Sequence, residues 1–284
     1  MRFLLAAAAP LAIALAAPSL AQDHSGHGAA HGAQAHAGHA ALEAALANPN
    51  READSARDQF RHPVETLMFF QVEPGMAVGE YAPGGGWYSR VLGNYLSADG
   101  KLVGLWRSAN GASLDEKART GLRDGAAAFP AKVEEWTGRS AAETAGYTLD
   151  AVPEAEHGTL DRVLLIRMLH NLISGGVAES ELKRMHGLLK PGGMLGVVQH
   201  RAKAEAADDY ADGSKGYLRQ ADVIALVEGQ GFELVEASEI NANAQDTADH
   251  PEGVWEMPPT LGTKREDLKS LGESDRMTLL FRKL

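Results

Sequence analysis

The chain has 284 residues, no cysteine, and a net charge of −11 from 27 basic and 38 acidic side chains. An acidic surface repels nucleic acid and anionic lipid, so neither is expected as a partner. Without cysteine the chain has no disulfide and no lipid-modified thiol, and its core alone must stabilise it.

The first 21 residues have the pattern of a secretory signal peptide. Arg2 is the positive start, residues 3–17 are apolar, and Ser19-Leu20-Ala21 offers small residues for cleavage. A membrane span is the alternative, but Pro10 and Pro18 interrupt a short, alanine-rich stretch. We therefore expect an exported, periplasmic protein that is soluble after cleavage and has no further membrane segment.

Residues 22–50 are rich in alanine, glycine and histidine and have no aromatic side chain. Such a composition buries too little apolar surface to offset chain entropy, so it predicts a flexible linker. Its histidines either bind Zn²⁺, Cu²⁺ or Ni²⁺ weakly or are incidental in a solvated spacer, since their irregular spacing fits no closed site. They are His24, His27, His31, His36 and His39.

From Arg51 onward, strands and helices alternate, which predicts a mainly parallel sheet with helices on both faces. In chain order, the elements are helix 63–70, strand 76–81, helix 87–96, strands 101–106, 131–136 and 162–169, helix 179–189, strand 194–199, helix 220–230, and strands 232–238 and 276–282. Strand 162–169 is apolar without alternation, as expected for a strand buried on both faces. Residues 51–284 are thus predicted to form one doubly wound α/β domain with a seven-stranded sheet and an antiparallel edge strand.

The segment Glu80-Tyr81-Ala82-Pro83-Gly84-Gly85-Gly86-Trp87 follows the first predicted strand and opens a helix. Glycines at such a turn let a ligand approach the backbone closely, and the helix start has free N–H groups. Taken alone, the segment is either a nucleotide-binding loop or a tight turn.

Three further segments follow in order: Asp161 to Asn171, Leu188 to Gly193, and Gly231 to Val235. Together with the glycine segment they resemble the class I S-adenosylmethionine-dependent methyltransferases. Glu80-x-Ala82-x-Gly84-x-Gly86 is similar to that family's acid-x-Gly-x-Gly-x-Gly loop, with alanine in place of the first glycine. Shorter segments resemble a group of exported predicted methyltransferases within the family; they are residues 61–66, 83–88, 238–243, 250–255 and 272–276.

The resemblance implies S-adenosylmethionine as cofactor, bound at the carboxyl ends of the strands. Gly84 and Gly86 would approach its methionine part, and Glu80 would meet its ammonium group; the alternative for Glu80 is a solvated strand end. The implied cofactor-binding residues are Glu80, Ala82, Pro83, Gly84, Gly85, Gly86, Trp87 and Arg167.

The stretch after the second predicted strand departs from the family. The family usually has an acid there that holds both ribose hydroxyls, but no carboxylate occurs before Asp115. Either Asn110 or Ser108 replaces that acid, or the adenosine is held differently, or the site has diverged from this cofactor.

Candidate catalytic residues follow the fourth and fifth strands, and the family usually places residues that contact the acceptor just after the fourth. His170 would be a general base and Asn171 an orienting hydrogen-bond partner. The alternative is that Asn171 caps the next turn and His170 is a packed or solvated side chain. His200 is a second candidate base.

The segment 239–255 is long and polar, which is typical of a lid or binding loop; the alternative is a surface excursion with asparagine turns. Predicted substrate-contacting residues are Tyr88, Glu239, Asn241, Asn243, His250 and Trp255. Arg57, Arg61 and His62 either belong to a helix that covers the cofactor or form an exposed helix end. The sequence predicts methyl transfer to a small molecule outside the cytoplasm; the alternative is a non-catalytic protein of this fold that binds a small ligand or metal.

Overall fold

The computed structural model describes residues 38–111 and 113–284. Helix α1, residues 38–46, buries Leu42 and Ala45 among the apolar side chains that cover one face of the sheet. The prediction of a flexible linker is therefore wrong for residues 38–50, because two apolar side chains at helical spacing gain a core to pack against. The predicted signal peptide and the histidines from His24 to His36 lie outside the described residues.

Seven strands form one sheet in the order β3-β2-β1-β4-β5-β7-β6. The strands are β1 (Ala77–Tyr81), β2 (Lys101–Trp106), β3 (Thr144–Thr148), β4 (Leu160–Ile166), β5 (Leu189–His200), β6 (Phe232–Ser238) and β7 (Arg276–Lys283). β1 to β5 pair in parallel, and β7 runs antiparallel between β5 and β6. The predicted doubly wound, mainly parallel sheet is confirmed, with the antiparallel pairing at its β6–β7 edge.

Helices cover both faces of the sheet. After α1, the helices are α2 (Asp58–Arg61), α3 (Pro63–Phe69), α4 (Trp87–Tyr95), α5 (Glu116–Thr137), α6 (Leu169–Ser174), α7 (Ala178–Leu188) and α8 (Gln220–Glu228). One buried apolar cluster packs α6, α7 and α8 against the sheet, and a second packs α1, α3, α4 and α5 against the other face. Within the described ranges, no helix is long and apolar enough to cross a bilayer.

The predicted strand 131–136 is instead the last part of helix α5. The helix begins after Asp115, whose side chain accepts a hydrogen bond from the Ala118 amide, and it buries Phe129 and Val133. Spacing of three to four residues between buried side chains is helical, and this longer pattern outweighs the short apolar run that predicted a strand. The third strand is β3, which pairs with β2 along its whole length.

Candidate functional site

A cavity of about 600 Å³ lies at the carboxyl ends of β1, β4 and β5. The turn after β1, the turn after β4 and His200 at the end of β5 form its walls, together with residues near α2 and the loop around Trp255. Small-molecule sites measure roughly 300–1,000 Å³, and doubly wound sheets bind ligands at these strand ends. We call this cavity the glycine-turn pocket.

The glycine turn, residues 82–87, gives the pocket an open stretch of backbone. Ala82, Gly84 and Gly86 have φ values of 49°, 58° and 78°, which bend the chain sharply from β1 into α4. Gly85 lines the pocket, and a Cβ atom added to it would meet nothing within 4 Å. A ligand can therefore approach the backbone at Gly85 closely.

Gly86 has a different role from the one expected. A Cβ atom at this position would lie 2.3 Å from the Trp136 ring, and Gly86 is buried outside the pocket wall. The positive φ and the packing against the Trp136 ring of α5 therefore both require glycine here.

Glu80 is not among the side chains that line the pocket. It is 5% exposed, and its carboxyl group accepts a hydrogen bond of 2.6 Å from the Ser89 hydroxyl of α4. Burial raises the pKa of Glu80 to about 7, against smaller lowering effects of Ser89 and Arg90. The Glu80 side chain thus joins β1 to α4 in this structure, and its contact with a cofactor ammonium group stays a prediction.

His170, Asn171 and His200 all line the pocket. Nδ1 of His170 lies 3.3 Å from the Gln199 side-chain amide, and the His170 and His200 ring centroids are 5.6 Å apart. Burial lowers the pKa of His170, and the nearby Arg167 charge lowers it further, although the Gln199 contact opposes this. A neutral imidazole at neutral pH can accept a proton, which fits the predicted role of His170.

His200 is less suited to act as a base. Its Nδ1 lies 2.6 Å from the Ser274 hydroxyl, and burial, followed by the His170 ring and nearby arginines, holds the pKa of His200 well below its usual range. The nearby Asn171 side chain is exposed, and its amide nitrogen lies 3.6 Å from Met168 Sδ. Asn171 is therefore free to contact a bound molecule.

Most of the predicted substrate-binding residues lie elsewhere. Trp255 lines the pocket, with its ring centroid 6.2 Å from that of His170. The other five, Tyr88, Glu239, Asn241, Asn243 and His250, do not line it. Asn241 donates to the hydroxyls of Thr66 and Thr278, so it is a buried structural amide.

The remaining polar side chains of this segment also form internal contacts. Glu239 is exposed and pairs with Arg201 at 2.6 Å, and buried His250 lies 3.0 Å from Asp246. The Asn243 amide donates to the carbonyl groups of Leu271 and Glu273 at 2.7 Å, which positions the loop that carries Glu273 before β7. These polar side chains therefore stabilise the loops around the pocket without lining it.

The sequence reasoning missed the acidic side chains of the pocket, Asp54 and Glu273. Asp54 accepts two hydrogen bonds from Arg90 of α4, and Glu273 is surrounded by arginines. Glu273 lies in the short segment 272–276 that had been singled out only for its resemblance. Its contacts with Arg57 and Arg61 span 216 and 212 residues, so no local pattern reveals them.

The loop after β2 is held by carboxylates, but none faces the pocket. Asp150 accepts hydrogen bonds of 2.9 Å from the amides of Ala109 and Asn110, and Glu181 accepts one of 3.2 Å from the Ser108 amide. These residues do not line the cavity. Among the described residues of this loop, and among the carboxylates that hold it, none lines the pocket where it could meet ribose hydroxyls.

No group of three or more potential metal ligands occurs among the described residues. His39 is half exposed in α1, and its Nδ1 lies 3.6 Å from Glu43. A second cavity of about 700 Å³ between α6, α7 and α8 has no histidine or arginine in its walls. A third cavity of about 530 Å³ has His157, Lys183 and Arg184 in its walls, whereas the glycine-turn pocket has two histidines beside the glycine turn.

No protein-family model matches the chain, and no curated protein matches it by sequence. Among solved structures it is similar to an S-adenosylmethionine-dependent methyltransferase from Aquifex aeolicus, with 13% identity, a TM-score of 0.51, and coverage of 87% of this chain and 98% of that one. It is also similar to 1,6-didemethyltoxoflavin-N1-methyltransferase from Burkholderia thailandensis, with 11% identity, a TM-score of 0.46, and coverage of 95% and 93%. A third similar structure is an S-adenosylmethionine-dependent methyltransferase from Mesorhizobium loti, with 15% identity, a TM-score of 0.44, and coverage of 78% and 97%.

Proposed function

We propose that this chain, which has the fold of the class I S-adenosylmethionine-dependent methyltransferases, transfers a methyl group from that cofactor to a small molecule. The observation that carries the proposal is the open backbone at Gly85, which faces the same pocket as the His170 imidazole. A ligand-accessible turn and a neutral base in one pocket suit methyl transfer to an acceptor that must lose a proton.

The pocket fits the cofactor in part. The open backbone of Gly84 and Gly85 would hold the methionine portion of the cofactor. The carboxyl groups of Glu80 and Asp150 instead accept hydrogen bonds from Ser89 and from the Ala109 amide. The bound cofactor would supply an electrophilic methyl group on a sulfonium ion. The chain must then provide alignment and exclusion of water.

Residues at or after the ends of β4 and β5 would carry out the proton transfer. The Gln199 side chain contacts Nδ1 of His170, and the Gln199 amide group donates a hydrogen bond of 2.8 Å to the Gly216 carbonyl. These contacts fix the imidazole of His170 and leave its Nε2 atom for the acceptor. His170 would remove a proton from a hydroxyl or ammonium acceptor, and Asn171 would orient it. Trp255 would close the pocket against water.

Gly85→Val tests the cofactor site. We expect the Kd for S-adenosylhomocysteine to rise by at least about tenfold, because a branched side chain would enter space that the ligand needs, at a cost of about 1–3 kcal/mol. Isothermal titration calorimetry of the full chain measures this. Circular dichroism should be unchanged, because the added side chain meets no protein atom within 4 Å at its Cβ.

Gly121→Val is the matched control, because Gly121 is exposed on α5 and its added Cβ also meets nothing within 4 Å. This variant should bind S-adenosylhomocysteine like the parent chain. Equal affinity of the Gly85 variant and the parent would remove the glycine turn from the site.

A second candidate function is small-ligand binding without transfer. Two observations favour this candidate. The Glu80 carboxyl group is hydrogen-bonded to Ser89, and no carboxylate in the described loop after β2 faces the pocket. A parent chain that shows no heat of binding with S-adenosylhomocysteine would support this candidate over methyl transfer.

We further propose that the protein is exported through a signal peptide that is cleaved after Ala21. The charged start and apolar stretch of residues 1–17 support this. Expression of the full chain in a bacterium should give a periplasmic product whose intact mass begins at Gln22. A variant that combines Arg2→Glu with an acidic residue in the apolar stretch should leave an uncleaved cytoplasmic product. Cleavage of this variant to the same extent as the parent chain would contradict the proposal.

A further inference from the structure

Four arginines surround a single carboxylate at one wall of the glycine-turn pocket. Arg57 contacts Glu273 at 2.6 Å, Arg61 at 3.2 Å, Arg276 at 3.1 Å and Arg167 at 3.9 Å. Arg57, Arg61, Arg167 and Glu273 line the pocket. We call these five residues the arginine cluster.

Among the described residues, no other group of the pocket balances the charge of the arginine cluster. Asp54, the other acidic side chain of the wall, is occupied by two hydrogen bonds from Arg90. Burial, with the neighbouring arginines, lowers the pKa of His170 and His200, so both rings are neutral at neutral pH. Tyr88, which packs beside the cluster, is neutral as well, because burial raises its pKa. Four positive groups therefore face one negative group.

This surplus of charge is costly for the folded chain. Burial, with repulsion from neighbouring arginines, lowers the pKa of both Arg61 and Arg167 to about 10, although Glu273 opposes this. The chain as a whole has a net charge of −11, so acidic side chains outnumber basic ones overall, whereas in the cluster the basic side chains outnumber the acidic one. Buried charges that lack partners are destabilising, and they commonly mark functional sites.

Unsatisfied donors point to the same conclusion. Arg61 is 2% exposed, its guanidinium lies 4.6 Å from the centroid of the Trp87 ring, and its Nη2 has no hydrogen-bond partner among the described residues. Arg167 Nε likewise lacks a partner there. Arg167 also has a φ of 59°, a strained backbone conformation that non-glycine residues adopt mostly where the surroundings enforce it. Both donor atoms are buried behind the pocket wall, and the exposed part of the cluster is formed by the side chains of Arg57 and Arg167.

We propose that the arginine cluster binds an anionic group, a carboxylate or a phosphate, of the methyl acceptor. The planar fork of a guanidinium matches both groups in geometry and charge. The inference rests on the proposed function, because the cofactor's sulfonium would add one more positive charge to this pocket. An anionic acceptor removes that repulsion and draws the two reactants together.

Calorimetric titration of the full chain with inorganic phosphate and with succinate tests the proposal. Titrations are run with and without saturating S-adenosylhomocysteine, at constant ionic strength. We expect saturable binding of one anion when S-adenosylhomocysteine is bound. Arg57→Gln and Arg167→Gln should each weaken it by about tenfold or more. These two arginines are about 30% exposed, so their variants should fold, whereas Arg61 is buried and is left unchanged.

Arg123→Gln is the control, because Arg123 is half exposed on α5 and should leave anion binding unchanged. Absence of binding by both anions would overturn the proposal. Displacement of the anion by S-adenosylhomocysteine would also overturn it, since the cluster would then hold the cofactor's own carboxylate. Arginine-dependent anion binding in a chain that does not bind S-adenosylhomocysteine would support the anion site and contradict methyl transfer.

Discussion

His170→Ala is expected to lower turnover by about 10²-fold or more with little change in the Kd for S-adenosylhomocysteine. The imidazole lines the pocket and is fixed at Nδ1 by Gln199, so it is placed to remove a proton but not to hold the cofactor. Its pKa is lowered by burial, and the base must be neutral to act. The parent rate should therefore fall with decreasing pH only below about 6.5, and the residual rate of the variant should lack this step.

Release of S-adenosylhomocysteine, measured with an anionic acceptor across a pH series, checks this expectation. His157→Ala is a suitable control, because His157 is exposed and does not line the pocket. Full turnover by the His170 variant would show that His170 is structural and that the reaction depends on alignment alone.

Glu273→Gln is expected to lower the free energy of unfolding by about 3–5 kcal/mol, because it leaves four buried or partly buried guanidinium groups without their carboxylate. Burial alone would raise the pKa of Glu273, but the surrounding arginines lower it overall. A carboxyl group with a depressed pKa stabilises the fold above its unfolded pKa. The difference between variant and parent should therefore be full at pH 7 and shrink as pH falls below about 4.

Urea denaturation at several pH values measures this difference, with Glu266→Gln as the control. Glu266 is exposed and pairs only with Lys269, so its loss should cost less than about 1 kcal/mol. Phosphate should raise the melting temperature of the Glu273 variant, because an anion that binds only the folded state stabilises it. A Glu273 variant as stable as the parent would mean that the arginines do not depend on this carboxylate.

Local patterns in the sequence predicted the sheet and the position of the pocket. Alternating strands and helices gave the doubly wound fold, since hydrophobic period and turn residues act over a few neighbouring positions. Gly85 and His170 were identified through the family resemblance, which places such residues after strands, and both line the pocket where the carboxyl ends of parallel strands meet. The strand predicted at 131–136 was wrong, because a short apolar run fits helix and strand equally well.

Tertiary structure alone decided which polar groups face the pocket. Glu80 follows the family pattern in sequence, yet its carboxyl group bonds Ser89 of the following helix. Gly86 looks like a ligand-contacting glycine, yet the Trp136 ring requires it. Arg57, Arg61 and Glu273 meet across more than 200 residues. The physical reason is common to all three: strand and helix patterns depend on near neighbours, whereas the charge and hydrogen-bond partners of a buried group depend on segments that only folding brings together.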